Sequence, residues 1–211
     1  MLLTEYRPFK VSKQLVEQSI KENKPLRVSG IIQRAETKNQ NERVYPKEVL
    51  MREIKKYIEG PVKERRALGE LDHPESSVIN LQNVSHNIVE IKVKDNDVYG
   101  TFEILSTPAG NILKELFRNG ITVGVSSRGM GSVEESLNEK GEPLVTVQDD
   151  FELLCWDFVS TPSTHGAYVA PVNVNVNINE SKIKLPEYKY TNVNNIIRDI
   201  ICDNTGICSL C

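Results

Sequence analysis

The sequence has few aromatic residues, no excess of positive charge and no long apolar segment. Aromatic residues make up 6% of the chain, and 26 Lys and Arg face 29 Asp and Glu, for a net charge of -3. This composition is not that of a protein that needs nucleic acid, because such proteins combine basic patches with stacking aromatics. No run of about 18 apolar residues is present, and the start, MLLTEYRPFK, does not read as a signal peptide. We therefore expect no membrane contact and a protein that stays inside the cell that makes it.

Cysteine is also scarce, and its placement does not favour a metal centre. Three of the four cysteines, Cys202, Cys208 and Cys211, lie near the end of the chain with the spacing C-x5-C-x2-C. A structural zinc would need a fourth ligand, and no histidine is nearby. We predict a reduced tail without a metal, and no cofactor.

Two segments have the apolar spacing of amphipathic helices. The first covers residues 46–60, with Pro46 in its first turn and Gly60 at its end. The second covers residues 107–120, with Thr107 as the N-terminal cap. Their predicted inward faces are Leu50, Ile54, Tyr57 and Ile58 in the first helix, and Ile112, Leu113, Leu116 and Phe117 in the second.

Strand patterns dominate the rest of the chain up to about residue 170. They cover residues 25–35, 80–93, 98–105, 121–127 and 144–160, and KDND at 94–97 predicts a hairpin turn. Because the helices do not alternate regularly with the strands, the pattern favours an α+β or barrel-like fold over a doubly wound sheet.

The predicted core domain is flanked by segments of a different character. Residues 1–24 form an N-terminal extension, in which 11–24 predicts a short helix, and residues 25–170 form the domain. Residues 171–211 form a linker and tail, with an amphipathic helix at 191–202 that either docks to a partner or packs on its own domain.

Only three histidines are available as a general base. His73 lies in GELDHP, at a strand end where Pro74 turns the chain, which is a rigid place to present a side chain. His86 lies inside a strand pattern, which is typical of a packed or surface histidine. His165 lies in the loop STPSTHGAY, where we expect it to be solvated.

The segment ITVGVSSRGMGSV predicts a strand that ends in two hydroxyls. Val125 faces one side of this strand, so Ser126 faces the other. Gly129 and Gly131 would let a substrate come close. A serine becomes a nucleophile only when a base takes its proton, and a plain strand end stays open as the alternative for Ser126 and Ser127.

A carboxylate also falls within an apolar strand pattern, FELLCWDFVS. Burying Asp157 is costly unless it is paired, and either a histidine or backbone amides would pair it. The cluster Glu70, Asp72 and His73 offers a different chemistry, a metal-dependent hydrolase. In an extended strand, however, His73 would face away from the two acids.

Several segments, in order and at compatible spacing, resemble one family. They are NERVYP, ALGELDHP, DVYGTFEIL and GNILKELFRNGITVGVSSRGMGS, within residues 26–170 or so. They resemble the prohead core serine proteases of T-even-type tailed phages. The resemblance implies an α+β fold with a mostly antiparallel β-barrel core and flanking helices, as in the herpesvirus assembly proteases. It also implies a serine endopeptidase that degrades the scaffold and trims capsid proteins inside the immature capsid, in the host cytoplasm.

The same resemblance implies roles for individual residues. His73 of LDHP corresponds to the general base, and the first serine of VSSRG, Ser126, to the nucleophile, with Ser127 as its rival. Asp157 is the chosen third member, and His165 is the competing choice, because the herpesvirus enzymes use a second histidine.

The resemblance also implies how the site supports catalysis and where it cuts. Arg128, with Ser127 and nearby amides, would help to hold the oxyanion. Relatives prefer to cut after Glu in Leu/Ile-x-Glu contexts, which LTEY and INES match at Glu5 and Glu180. We therefore expect self-cleavage at these two edges of the domain.

Two questions stay open after the resemblance. The substrates implied are scaffold or core proteins and the major capsid protein, and the sequence does not decide whether the chain forms a homo-oligomer. The alternative function is a non-catalytic scaffold or core component of the prohead. The presence of His73, Ser126 and Asp157 together argues against it, because a protein without activity has no need to keep them.

Overall fold

The structure is a computed structural model that describes residues 13–22, 24–137, 141 and 143–172. Its α-helices are α1 (Lys13–Lys21), α2 (Lys47–Tyr57) and α3 (Pro108–Arg118). Its strands are β1 (Leu26–Arg34), β2 (Arg43–Val44), β3 (Leu68–Glu70), β4 (Val84–Lys94), β5 (Asp97–Ile104), β6 (Gly124–Met130), β7 (Val133–Leu137), β8 (Pro143–Val147), β9 (Glu152–Val159) and β10 (Val169–Pro171). The expected α+β class with mostly antiparallel sheets and few helices is confirmed in these residues.

The largest sheet has five antiparallel strands in the order β10–β1–β5–β4–β3. Its centre is the β4–β5 hairpin, which turns where the KDND pattern predicted, with Asp95 at a φ of 57°. Phe102, Ile88 and Val28 point from this sheet into the core and are fully buried. The sheet therefore provides a rigid base on which the remaining strands are held.

A two-stranded ribbon, β6–β9, contacts both edges of the large sheet. On the β3 side Leu71 forms a bridge with Phe158, and on the β10 side Gly124 forms one with Tyr168. These contacts are single bridges, so the strands described do not close into a continuous barrel. The described strands form separate, mostly antiparallel sheets that meet at their edges.

The third sheet has the order β2–β8–β7, and in the sequence its strands β7 and β8 lie between the two strands of the ribbon. The segment 144–160, which the sequence left as one or two strands, forms two, β8 and β9. β2 pairs with β8 in parallel through Arg43 and Val44. This pairing fixes the position of Arg43, which lines the pocket described below.

The first predicted helix of the domain differs from expectation at its end. Pro46 is the N-cap of α2, and Gly60 does not end the helical segment. The chain continues as a π-helical turn over Ile58–Val62, in which the Lys63 amide donates to the Ile58 carbonyl at 3.2 Å. Because Pro61 has no N–H, it cannot continue the α-helical ladder, and the wider turn accommodates it.

The second predicted helix, α3, has the expected cap but a narrower buried face. Thr107 Oγ1 accepts a hydrogen bond from the Gly110 amide at 3.1 Å. Leu113 and Phe117, four residues apart, are buried, whereas Ile112 is 56% exposed, so its predicted inward position was wrong. Ile112 lies about a quarter turn from the stripe that faces the sheet. None of the helices in the described ranges is long and apolar enough to cross a bilayer.

The remaining local predictions are confirmed or lie outside the described residues. Helix α1 falls within the predicted segment 11–24, and β1 within 25–35. The predicted tail helix and the terminal cysteines lie outside the described residues.

Candidate active site

The ribbon β6–β9 brings the candidate serine and aspartate side by side. In its antiparallel register Ser126 is paired with Asp157, and the ladder continues to Met130 opposite Glu152. The prediction that the two serines end a strand was wrong, because β6 begins at Gly124 and continues past them. Ser126 therefore lies on a paired, rigid segment instead of a loop.

A turn after β3 presents His73 to the same ribbon. The Asp72 amide donates to the Phe158 carbonyl at 2.8 Å, which attaches the turn to β9. Asp72 has a φ of 73°, a left-handed conformation that Asp tolerates better than most residues. Its Oδ1 accepts the His73 amide at 2.9 Å. Because the chain turns here, His73 does not follow the alternation of an extended strand, and its side chain reaches Asp157 on β9.

His73 and Asp157 are in direct contact. His73 Nδ1 lies 2.9 Å from Asp157 Oδ2, with the carboxylate fully buried and the imidazole 39% exposed. A carboxylate only accepts, so Nδ1 carries the proton and Nε2 is the ring nitrogen able to take one. Asp157 Oδ1 also accepts the Glu70 amide at 2.9 Å. Both pairings considered for this carboxylate, a histidine and a backbone amide, are therefore present.

The surroundings of Asp157 keep it ionised. Burial by itself would raise the pKa of the Asp157 carboxyl. The hydrogen bonds from His73 and the Glu70 amide, and the positive charge of Arg128, lower it, and the net pKa is below its ordinary value. An ionised carboxylate at this position can orient His73 and stabilise its protonated form.

Ser126 lies in the wall of a pocket that it shares with His73. The pocket has a volume of about 360 Å³ and also includes Arg43, Ser127 and Ser163 among its lining residues. Ser126 Oγ lies 3.1 Å from Ser163 Oγ, and its side-chain hydrogen bonds in the described residues do not include His73. Contacts between a nucleophile and its base often form only when substrate binds.

Ser127 is in a different environment from Ser126. It lies next to Tyr45, a residue that is 8% exposed and packs edge-on against Phe151. Burial raises the pKa of Tyr45, and the neighbouring Ser127 opposes that rise. Ser127 thus lies beside a neutral phenol, while the hydroxyl of Ser126 lies beside another serine.

Arg128 lies behind Asp157 and is 7% exposed. Its Nη2 donates to Glu70 Oε1 at 2.9 Å and to Asp157 Oδ1 at 3.2 Å, and its Nη1 donates to the Ser76 carbonyl at 2.6 Å. Its Nε is 3.0 Å from Asp157 Oδ2 as an ion pair, although its N–H is not directed for a hydrogen bond. The guanidinium is therefore bound to protein acceptors, a geometry that favours a role other than contact with an oxyanion.

The glycines after the serines serve packing. A Cβ on Gly129 would lie 2.5 Å from the Phe151 ring, and one on Gly131 would lie 2.8 Å from the Phe151 Cα. Phe151 occupies the space beside both glycines, so packing alone requires residues without a side chain at these positions, and their role in substrate access stays a prediction. Gly129 still forms part of the pocket wall through its backbone.

The other two histidines lie away from the pair. His86 is fully buried, with Nε2 3.0 Å from the Trp156 carbonyl and Nδ1 2.9 Å from Ser85 Oγ. Burial lowers the pKa of His86 to about 4, so it is neutral at pH 7. Of the two predicted environments, packed or at the surface, the packed one is confirmed. His165 is exposed, and its carbonyl accepts from Arg34 at 3.3 Å. The structure thus brings Asp157, and not His165, to His73.

The acids near His73 are used as hydrogen-bond acceptors. Glu70 is bound to Arg128, and Asp72 is bound to the backbone of its own turn. Among the residues that the structure describes, no group of three or more His, Cys, Asp or Glu could hold a metal ion. Glu5 and Glu180, the predicted self-cleavage sites, lie outside the described residues.

Sequence reasoning missed Ser163 and considered Glu70 only as a candidate metal ligand. Ser163 contacts Ser126 from a loop, and Glu70 anchors Arg128 from the strand before His73. Nothing in STPSTHG distinguishes Ser163 from its neighbours. Glu70 did carry a signal, since a charged residue in a strand pattern beside small and apolar residues needs a buried partner.

Comparisons with known proteins agree on one family. The family model described as "Prohead core protein serine protease" matches residues 8–181. The chain is 36% identical over 152 residues to the prohead core protein protease of Enterobacteria phage T4, covering 71% of this chain and 70% of that one. It also resembles the solved structure of the bacteriophage T4 capsid assembly protease, gp21, with a TM-score of 0.60 and 33% identity over 65% of this chain and 84% of that one. The chain belongs to the family of prohead core protein serine proteases.

Proposed function

We propose that the chain is a serine endopeptidase that cleaves scaffold or core proteins and the major capsid protein during maturation of the prohead. Ser126 is its nucleophile, His73 its general base and Asp157 the residue that orients His73. The contact of 2.9 Å between His73 and Asp157, in a pocket shared with Ser126, is the observation that carries this proposal. Membership of the family supports the reaction class.

The mechanism follows from the positions of these groups. On binding substrate, the Ser126 hydroxyl rotates from Ser163 to His73 Nε2 and gives up its proton as Oγ attacks the peptide carbonyl. His73 then protonates the leaving amine, which releases the first product and leaves an acyl ester on Ser126. His73 next takes a proton from water as the water oxygen attacks the ester, and it then gives this proton to Ser126 Oγ as the second product leaves. Asp157 stabilises the imidazolium in both halves of the cycle.

We also propose cleavage after Glu in Leu/Ile-x-Glu contexts, including the chain's own Glu5 and Glu180. Arg43 supports an acidic specificity, because its exposed side chain lines the pocket while Arg128 is bound to Glu70 and Asp157. A guanidinium at the pocket wall can form a bidentate, charge-assisted pair with a substrate carboxylate.

The finer structural expectations belong to the same proposal. The two bridges that join β6–β9 to the large sheet give the cyclic strand order β10–β1–β5–β4–β3–β9–β6, which supports a relation to the barrel of the herpesvirus assembly proteases. We further propose that 25–170 is the protease domain, that cleavage at Glu5 and Glu180 shortens the flanking segments 1–24 and 171–211, and that this takes place inside the prohead, in the host cytoplasm.

A peptide with the sequence of residues 174–184, VNVNINESKIK, tests the function directly. The purified full chain should cut it between Glu180 and Ser181, as read by mass spectrometry, and should leave a peptide with Glu180→Gln intact. Ser126→Ala should abolish cleavage, and the matched variant Ser127→Ala should retain it. Equal cleavage by wild type and Ser126→Ala would contradict the proposal, and no cleavage of this peptide or of capsid proteins would favour the non-catalytic scaffold.

A further inference from the structure

The segment that carries His73 has little packing of its own. Between β3 and β4, residues 72, 73, 75–78 and 80–83 are exposed, including Val78 at 72% and Leu81 at 71%. An exposed loop is free to open locally unless its backbone is bound to the rigid part of the domain. A general base, however, must be held within a fraction of an ångström of its working position.

Two buried side chains bind this loop to the sheets. Arg128 on β6 donates from Nη1 to the Ser76 carbonyl at 2.6 Å. Glu70 at the end of β3 accepts the Asn80 amide on Oε1 at 3.1 Å. Arg128 and Glu70 also contact one another at 2.9 Å, and they are 7% and 0% exposed. The Arg128–Glu70 ion pair therefore binds the backbone of the loop at two points, the Ser76 carbonyl and the Asn80 amide.

The same ion pair contacts the carboxylate that orients His73. Arg128 lies 3.2 Å from Asp157 Oδ1 and 3.0 Å from Oδ2, and the Glu70 amide lies 2.9 Å from Oδ1. A planar guanidinium can reach two carboxylates and a carbonyl at once, which a lysine ammonium cannot do with the same geometry. Two buried carboxylates so close together also need a positive charge between them.

We propose, on the basis of the proposed function, that Arg128 and Glu70 form a clamp that positions His73 from both sides. Arg128 is a positioning residue that fixes Asp157 and the loop of residues 71–83. The resemblance implied that it would hold the oxyanion, whereas its guanidinium, although at the pocket wall, contacts the Ser76 carbonyl, Glu70 and Asp157. The two roles differ in a measurable way, because the clamp acts only through Asp157 and the loop.

A double-mutant cycle separates the roles. Arg128→Met should lower kcat for the 174–184 peptide about 100-fold with KM nearly unchanged, since misplacing a catalytic group costs rate and not binding. In an Asp157→Asn background, the same substitution should cost at least about fivefold less, because one of the two paths through which it acts, the contact with Asp157, is already broken. An equal loss in both backgrounds would overturn the clamp and indicate contact with the oxyanion. Arg27→Met, which breaks an ion pair with the buried Glu103 outside the pocket lining, is the matched control.

Hydrogen exchange tests the clamp without any assay of activity. Exchange across residues 71–83 should accelerate at least about tenfold in Arg128→Met, while the β4–β5 hairpin stays protected. Arg128→Lys and Glu70→Gln, which keep more of the local shape, should show the same pattern to a smaller degree if Arg128→Met does not fold. Unchanged exchange in this loop would overturn the inference. Activity that does not depend on Ser126 would instead refute the proposed function. The exchange rates would still test the clamp, because they do not depend on activity.

Discussion

Replacement of Asp157 by Asn is the sharpest test of how the site is built. The carboxylate accepts from His73 and from the Glu70 amide at 2.9 Å each, and from Arg128 at 3.2 Å, with no exposure to solvent. An amide in its place presents an N–H₂ group to one of these donors. Donor then faces donor, so His73 is driven to the wrong tautomer or released from its position.

The expected loss follows from those contacts. A histidine in the wrong tautomer lowers kcat by about 10³–10⁴ in enzymes of this design. Losing hydrogen bonds to a buried charge should lower the free energy of unfolding at pH 7 by about 2–3 kcal/mol. Because the pKa of Asp157 is depressed on folding, wild type has this stabilisation fully above the ordinary value of 3.8 and loses it as pH falls below that value. Asp157→Asn should lack that acid-side loss.

The assay compares Asp157→Asn with Asp150→Asn. Asp150 also holds several hydrogen bonds, to the amide and hydroxyl of Ser132, but it is exposed and outside the pocket lining. Saturating kcat for the 174–184 peptide and urea unfolding at pH 7 and pH 3 are measured for both. A kcat of Asp157→Asn within about tenfold of wild type would refute the assignment of Asp157.

Three further predictions concern the core and the pocket. Burial lowers the pKa of His86 from 6.5 to about 4, so the folded state binds fewer protons than the unfolded state below pH 6.5. The free energy of unfolding should therefore fall by about 2 kcal/mol between pH 7 and pH 5. His86→Gln should flatten that slope in urea titrations, and an unchanged slope would contradict the reasoning. Arg43→Gln should raise KM for the Glu180 peptide about tenfold or more and leave kcat nearly unchanged in steady-state assays, since it removes a charge-assisted contact; an unchanged KM would exclude Arg43. In Gly69→Ala the new Cβ would lie 2.2 Å from the Trp156 carbonyl and 2.4 Å from His86 Nε2, so the unfolding free energy should fall by about 1–3 kcal/mol, and wild-type stability would show that the ribbon can move away.

Much of the fold could be predicted because local patterns carry it. The cap at Thr107, the KDND hairpin and the strand patterns of β4 and β5 are signals within a few residues of one another. The end of α2 failed because Gly60 is a weak stop when Pro61 follows and a π-helical turn can absorb it. The extent of β6 failed because a long-range ladder with β9, and not the residues of β6, decides where that strand ends.

The residues of the candidate site could be predicted from the sequence, but the contacts between them could not. The patterns around His73, Ser126 and Asp157, together with the family resemblance, selected those residues. The contacts that join them depend on the left-handed turn at Asp72 and on the register of β6 with β9. Those features arise only from tertiary structure. The role of Arg128 was missed for the same reason, because its acceptors lie 29, 52 and 58 residues away in the chain.

Covalent labelling of the serine tests the central claim most directly. Ser126 Oγ should attack the phosphorus of a fluorophosphonate, displace fluoride and form a stable phosphonyl ester, which mass spectrometry locates in the tryptic peptide NGITVGVSSR, residues 119–128. The account predicts an adduct on Ser126, absent in Ser126→Ala and formed much more slowly in His73→Ala. An adduct on Ser127, or labelling of Ser126 at the same rate without His73, would contradict it.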